Sequence, residues 1–225
     1  MIEAEMKHKV PKLENLEDIL TSNVFGLLEF IDYNYLIDIV SKAKNHQGDS
    51  IGNILRDKKI VDVELWKSFG NNGEPDILVT LDDDTFFIIE VKYFSHEHNK
   101  KEQVEDETDS EKYQEKGQLA KYLNIEIPNK KKSDFIIYLT ANYQSLKIIK
   151  NSESTSKERL NDIYHIHWDD FNEHLIGLQS EGIEQKIINK ITEYLDHKGF
   201  TYWQGFKYKT DYKDIKTNIG GFYAR

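Results

Sequence analysis

Between residues 60 and 94 three short runs, VDVELWKSF, PDILVTL and TFFIIEVKYF, follow one another with little between them except glycine and acidic residues. Runs this short, rich in β-branched and aromatic side chains and bounded by turn formers, read as strands, and strands so close in sequence pair as an antiparallel meander. Such a ribbon needs covering elements. Leu13, Leu16, Ile19 and Leu20 recur at helical spacing, and Val24, Phe25, Leu27, Leu28 and Ile31 continue after Thr21-Ser22, which reads as a cap. Further on, QLAKYLNI reads as a helix and SDFIIYLTANY as a buried strand. NSESTSKER reads as a linker, DIYHIHWDDF as another strand, and GIEQKIINKITEYLDHKG as an amphipathic helix closed by Gly199. The expected order is helix, three strands, helix, strand, strand, helix. With no internal repeat or clear boundary, the chain reads as a single domain over 1–225. Helices occupy 10–45, a core lies at about 55–170, and a helix with an aromatic tail spans 171–225.

The meander brings chemistry with it. If Asp82-Asp83-Asp84 is the hairpin turn, Leu81 faces Thr85, and counting outward sets Asp76 opposite Glu90. Facing residues have Cβ atoms about 4.5–5.5 Å apart on one face of a sheet. Lys92, two residues beyond Glu90, points to that face too. Two ionised carboxylates at this separation repel by roughly 3–4 kcal/mol at an effective dielectric near 20. A divalent cation reverses the sign of that interaction. Asp76, Glu90 and the Val91 carbonyl offer oxygen ligands to Mg²⁺ or Mn²⁺. Lys92 beside them is placed to orient or deprotonate a water and to stabilise charge on a phosphate.

An acidic residue two before a lysine also occurs at Glu5, Asp57, Glu184, Asp196, Asp211 and Asp214, so the tripeptide alone carries little. Glu90 differs because it interrupts the apolar run Phe86-Phe87-Ile88-Ile89, where a charge is costly unless paired or liganded. With Pro75-Asp76 upstream, Glu90-Val91-Lys92, and Gln118 to Tyr122 downstream, the chain resembles the PD-(D/E)XK nuclease superfamily, in particular its RecB-like branch with a QxxxY element. The resemblance covers roughly residues 60 to 123. It implies an α/β fold with a restriction-endonuclease-like core, a central mixed β-sheet flanked by helices. It also implies Mg²⁺-dependent hydrolysis of phosphodiester bonds, with DNA the expected substrate. Under it Asp76, Glu90, Lys92 and Gln118 are catalytic. Asp76, Glu90, Val91 and an acid on the first helix hold the metal, with Glu17, beside the stripe of Leu13, Leu16 and Leu20 and ahead of the Thr21-Ser22 cap, the first choice and Glu14, Asp18 and Glu29 its competitors. Gln118, Lys121 and Tyr122 face nucleic acid, although Tyr122 serves equally as a core aromatic. The rival readings are a catalytically inactive module of the same fold that binds nucleic acid or a partner protein, and a purely structural domain.

Composition trims the remaining choices. Cysteine is absent, which removes disulfides, thiolate metal sites and a cysteine nucleophile. No apolar run is long enough to span a bilayer and the first residues carry no secretory-type apolar stretch, so a cytoplasmic location without membrane contact is expected. The formal charge of −10 disfavours indiscriminate nucleic-acid binding, so a substrate surface calls for a local basic exception, a homodimer or a basic partner protein. Lys130 to Lys132, with Lys100, Lys101, Lys112, Lys116 and Lys121, are the candidates for that exception. Residues 95–117, including His96-Glu97-His98, read as a solvated loop leading into a helix, and Gly70 to Gly73 as the turn before Asp76. His165 and His167 fall on one strand face, more plausibly in a structural role than as ligands. Phe200, Tyr202, Trp203, Phe206 and Tyr208 read as a hydrophobic cap.

Overall fold

The computed structural model describes residues 2–7, 17–70, 73–93, 118–128, 131–151 and 157–201. Among them lies a five-stranded sheet in the order β1 (Ile60–Leu65), β2 (Ile77–Leu81), β3 (Thr85–Lys92), β4 (Lys131–Thr140) and β5 (Ile163–His167). The first three strands are antiparallel, as expected of the meander, and β3, β4 and β5 are parallel. The fold is therefore α/β, with a mixed sheet flanked by helices.

Strands β2 and β3 are buried almost end to end, which explains their near-continuous apolar sequence. Alternation along them feeds two cores. Phe87, Ile89 and Val91 point to one face and pack under α1 (Ile2–Met6), α2 (Glu17–Leu28), α3 (Asn34–Val40), α4 (Gly52–Leu55), α7 (Trp168–Gly177) and α8 (Gly182–His197). Leu78, Phe86, Ile88, Ile136 and Tyr138 point to the other and pack under α5 (Gln118–Tyr122) and α6 (Ser145–Asn151). The β2–β3 turn closes with Asp84 at φ 61° and with Asp83 accepting from the Thr85 amide and hydroxyl. Helix α8 ends as its sequence requires. Gly199 adopts φ 87°, and the amides of Gly199 and Phe200 donate to the carbonyls of Asp196 and Leu195, a Schellman closure.

Three expectations need correction. Thr21 and Ser22 do not cap a helix. They lie inside α2, which begins at Glu17, and Glu17-Asp18 in its first turn suit the positive end of the helix dipole. DIYHIHWDDF is not one strand: β5 stops at His167 and α7 starts at Trp168, because Trp168, Phe171 and Leu175 bury a helical stripe and Asp169-Asp170 occupy the first turn. The element order also gains α3, α4, α6 and α7, and the end of the expected linker forms a 3₁₀ turn at Lys157–Asp162. Phe200 is buried and stacks on Trp168 at 5.7 Å, whereas Tyr202, Trp203, Phe206 and Tyr208 lie outside the described residues. So do the whole 95–117 segment, Lys130 and the side chains of Lys131 and Lys132. No described helix is long and apolar enough to cross a membrane.

Candidate metal centre at the carboxyl end of the sheet

Strands β2 and β3 pair Ile77 with Ile89, Leu78 with Ile88, Val79 with Phe87 and Thr80 with Phe86, the register expected from a turn at 82–84. One residue outward, Asp76 stands opposite Glu90. Its backbone carbonyl accepts from the Trp66 amide, which extends the β1–β2 ladder to the site, and its Oδ2 accepts from the Val91 amide at 2.7 Å. On either side of Asn71 and Asn72, which lie outside the described residues, Gly73 at φ 95° donates its amide to the Gly70 carbonyl.

Lys92 gathers the acids. Its Nζ donates to Glu90 Oε1 at 2.6 Å, to Glu17 Oε1 at 2.8 Å and to the Val91 carbonyl at 3.0 Å, so all three ammonium protons are engaged. Glu17 also accepts from the Tyr93 amide through Oε2 at 3.1 Å, so α2 is pinned to the end of β3. Of its competitors, Asp18 and Glu29 are exposed, while Glu14 lies outside the described residues. Glu17 is thus the acid brought to the site, although the cap that favoured it in the sequence does not exist. Val91 joins through its backbone on both sides, its amide holding Asp76 and its carbonyl occupied by Lys92.

The cluster is deep. Asp76 is 8% exposed, Glu90 1% and Lys92 4%, whereas the Glu17 side chain, at 24%, is where the cluster meets solvent. Burial pushes the Asp76 carboxyl up to about 6 against the opposing pull of Lys92, and it pushes Glu90 well above the usual carboxylate range with the Asp76 charge adding to the effect. For Lys92 burial alone favours the neutral amine, but Glu90, Asp76 and Glu17 together override it and raise its pKa. The three acids beside it thus favour the ammonium form of Lys92.

Three carboxylates share one ammonium, leaving an excess of negative charge when all are ionised. Among the described residues no basic or amide donor faces the buried Glu90 Oε2, whose carboxyl neighbours that of Asp76, and none faces Gln118 Oε1. An acceptor in that position calls for a proton shared between the acids or for a cation. Were a hard oxygen-binding ion such as Mg²⁺ or Mn²⁺ to enter this donor set, Asp76 and Glu90 would be the residues to hold it.

Helix α5 closes the site from one side. Gln118 Nε2 donates to the Tyr122 hydroxyl at 2.9 Å, and that hydroxyl donates to the Glu74 carbonyl at 3.2 Å. The Tyr122 ring is buried with Leu119 and Leu123, and a Cβ at Gly73 would meet it at 3.2 Å. Tyr122 therefore packs beneath the site and braces the segment before Asp76. Lys121 stands exposed on the same helix.

The parallel register places Glu90 beside Tyr138 and His165, and Lys92 beside Thr140 and His167. All six point to one face at the carboxyl ends of the parallel strands, where open α/β sheets place ligands. His165 and His167 are on one face as expected, and Ser145 Oγ lies 3.1 Å from a nitrogen of each. Reading 162–171 as a continuous strand conceals that Asp169 and Asp170 fold back beside His167. The acid pair ahead of Phe171 and Leu175 is the helix-start signal that would have revealed it. No family model, curated protein or solved structure matches the chain.

Proposed function

We propose that this chain is a metal-dependent nuclease of the PD-(D/E)XK type with a restriction-endonuclease-like core, hydrolysing phosphodiester bonds, most naturally in DNA. One observation carries the reading: Asp76, Glu90, Lys92 and Glu17, remote in sequence, meet at one end of a mixed sheet around a buried Glu90 oxygen that no basic or amide donor faces among the described residues. Antiparallel β1–β3 joined to parallel β3–β5 is the sheet such a core requires.

In this reading Asp76 and Glu90 hold a Mg²⁺ or Mn²⁺ ion, which when bound supplies Lewis-acid activation of water and neutralises charge at phosphorus. The Val91 amide fixes Asp76, and Glu17 fixes the Lys92 ammonium. Lys92 acts as a charged donor toward developing phosphate charge, exchanging its bond to Glu17 at the solvent side for one to substrate. Gln118 and Tyr122 position the backbone before Asp76, and Lys121 faces the nucleic acid. The chain's −10 charge makes a homodimer or a basic partner protein a reasonable completion of the substrate surface.

A second reading draws on the depth of the site. With Glu90 1% exposed and every Lys92 proton engaged, the same fold can serve as a module that binds nucleic acid without cutting it. Incubating the protein with circular single-stranded and linear duplex DNA, in Mg²⁺, Mn²⁺ or EDTA, separates the two. The nuclease reading predicts products that need the metal and disappear in Asp76→Asn and Glu90→Gln. Retention of DNA without products supports the binding module, and cleavage unchanged in both variants removes the assignment.

A further inference from the structure

The junction of β5 and α7 carries a constellation that the Asp76–Glu90 centre does not use. One ring nitrogen of His167 and one carboxylate oxygen each of Asp169 and Asp170 lie within 4.8 Å of one another. Acids in a first helical turn ordinarily complement the helix dipole or cap its amides. Here the partners of these carboxylates, among the described residues, are side chains. Asp169 accepts from the Tyr143 hydroxyl at 2.8 Å, and Asp170 Oδ2 stands 3.7 Å from His167 Nδ1. His167, the residue before α7, makes no capping bond with its side chain.

We propose that His167, Asp169 and Asp170 form a second cation site, one that takes a divalent transition ion of the Zn²⁺, Co²⁺ or Mn²⁺ kind. One imidazole and two carboxylates suit such ions. Two donors each about 2.0–2.2 Å from an ion stand at most about 4.4 Å apart. The 3.7 Å pair already meets that limit, and a small carboxylate rotation closes the wider gaps. The ligands are held from behind. His167 Nε2 lies 3.1 Å from Ser145 Oγ, which lies 3.1 Å from His165 Nδ1. With Nδ1 turned to the acids, Nε2–H donates to the serine and the serine hydroxyl donates to His165, so each proton has one acceptor. The Tyr143 ring packs 5.1 Å from His167 while its hydroxyl fixes Asp169. Supports of this sort orient metal-bound imidazoles and carboxylates. His167 is aligned with Lys92 across one intervening strand, about 10 Å away at ordinary strand spacing, too far for both centres to share an ion.

The test is a Co²⁺ titration of the full chain carrying Asp76→Asn and Glu90→Gln, followed by calorimetry and by paramagnetic shifts of the His167 ring protons. One equivalent binds and shifts the ring in that background. His167→Ala abolishes it, and Asp170→Asn and Ser145→Ala each weaken it by about tenfold or more. Absence of Co²⁺ binding in the double variant, or affinity unchanged by both His167→Ala and Asp170→Asn, overturns the proposal. If His167→Ala fails to fold, Asp170→Asn on its largely solvent-facing carboxylate decides. Loss of the Asp76–Glu90 reading leaves this test intact.

Discussion

Two polar clusters share one end and one face of the sheet, and burial sets them apart. Around Lys92 two acids and the ammonium are almost wholly enclosed, and Glu17 alone keeps a foot in solvent. Around His167 all three side chains reach solvent in part, the imidazole 17% exposed and the Asp170 carboxylate 48%. The same desolvation acts with opposite sign on the two. It raises Asp76 to about 6, and it lowers His165 to about 4 with the neighbouring His167 reinforcing the shift. Enclosure makes a charge imbalance consequential, whereas partial exposure lets the second cluster wait for a ligand at little cost.

The largest effects should fall on the enclosed cluster. If it is catalytic, Asp76→Asn and Glu90→Gln reduce metal-dependent cleavage to background, and Lys92→Met reduces it by roughly 10²–10³-fold, read from initial rates on DNA. Asp170→Asn leaves those rates unchanged. Equal losses at both clusters would erase the distinction.

Stability separates the members of the enclosed cluster next. Removing the ammonium leaves buried acids uncompensated, so Lys92→Met costs about 3–5 kcal/mol in urea unfolding without metal. Glu90→Gln removes one of the competing acids and leaves stability equal or higher. Asp170→Asn, with a substantially exposed carboxylate, changes it by less than about 1 kcal/mol.

The pH dependence should then split in two. Asp76 has a folded pKa above its unfolded value of 3.8, so its contribution is fully present below about 4 and is lost as pH rises through about 6, an effect of about 3 kcal/mol. His165 has a folded pKa below its unfolded value of 6.5, so its contribution is present above about 6.5 and is lost as pH falls toward about 4. Glu90, raised as well, adds to the Asp76 slope, and the His165 slope opposes both. With Asp76→Asn and Glu90→Gln combined, stability rises with pH between about 4 and 6.5, and in His165→Gln it falls. Urea unfolding across that range checks both, and identical profiles would contradict the assignment of burial to each group. The smallest expected effect is that of Tyr122→Phe, which deletes the hydroxyl between Gln118 and the Glu74 carbonyl and costs about 1 kcal/mol.

The enclosed cluster was the more legible one for the reason that makes it sensitive. A glutamate inside Phe86 to Val91 has to be explained, and the period of two along a hairpin then fixes Asp76 as its neighbour. The sequence points to Glu17 through the stripe of Leu13, Leu16 and Leu20 and a cap at Thr21-Ser22, and that cap does not form. What delivers it is tertiary, the packing of α2 that sets its first turn against Lys92 and Tyr93, and no local pattern encodes that. The engagement of Lys92 by three acceptors was also invisible, since it depends on how the strand end meets α2. The His167 cluster escaped because aromatic and β-branched residues continue through the strand–helix junction, so periodicity over so few residues does not mark where β5 stops. Short helices such as α4 and α6 bury few side chains and leave little pattern to read.

The central claim is that the carboxylates at the end of β2 and β3 are completed by a divalent ion. Electron paramagnetic resonance of Mn²⁺ titrated into His167→Ala, and into His167→Ala combined with Glu90→Gln, at pH above 7 tests it directly. The account predicts a bound-Mn²⁺ signal in His167→Ala that is lost when Glu90→Gln is added. A signal unchanged by Glu90→Gln, or no bound ion in His167→Ala, would contradict it.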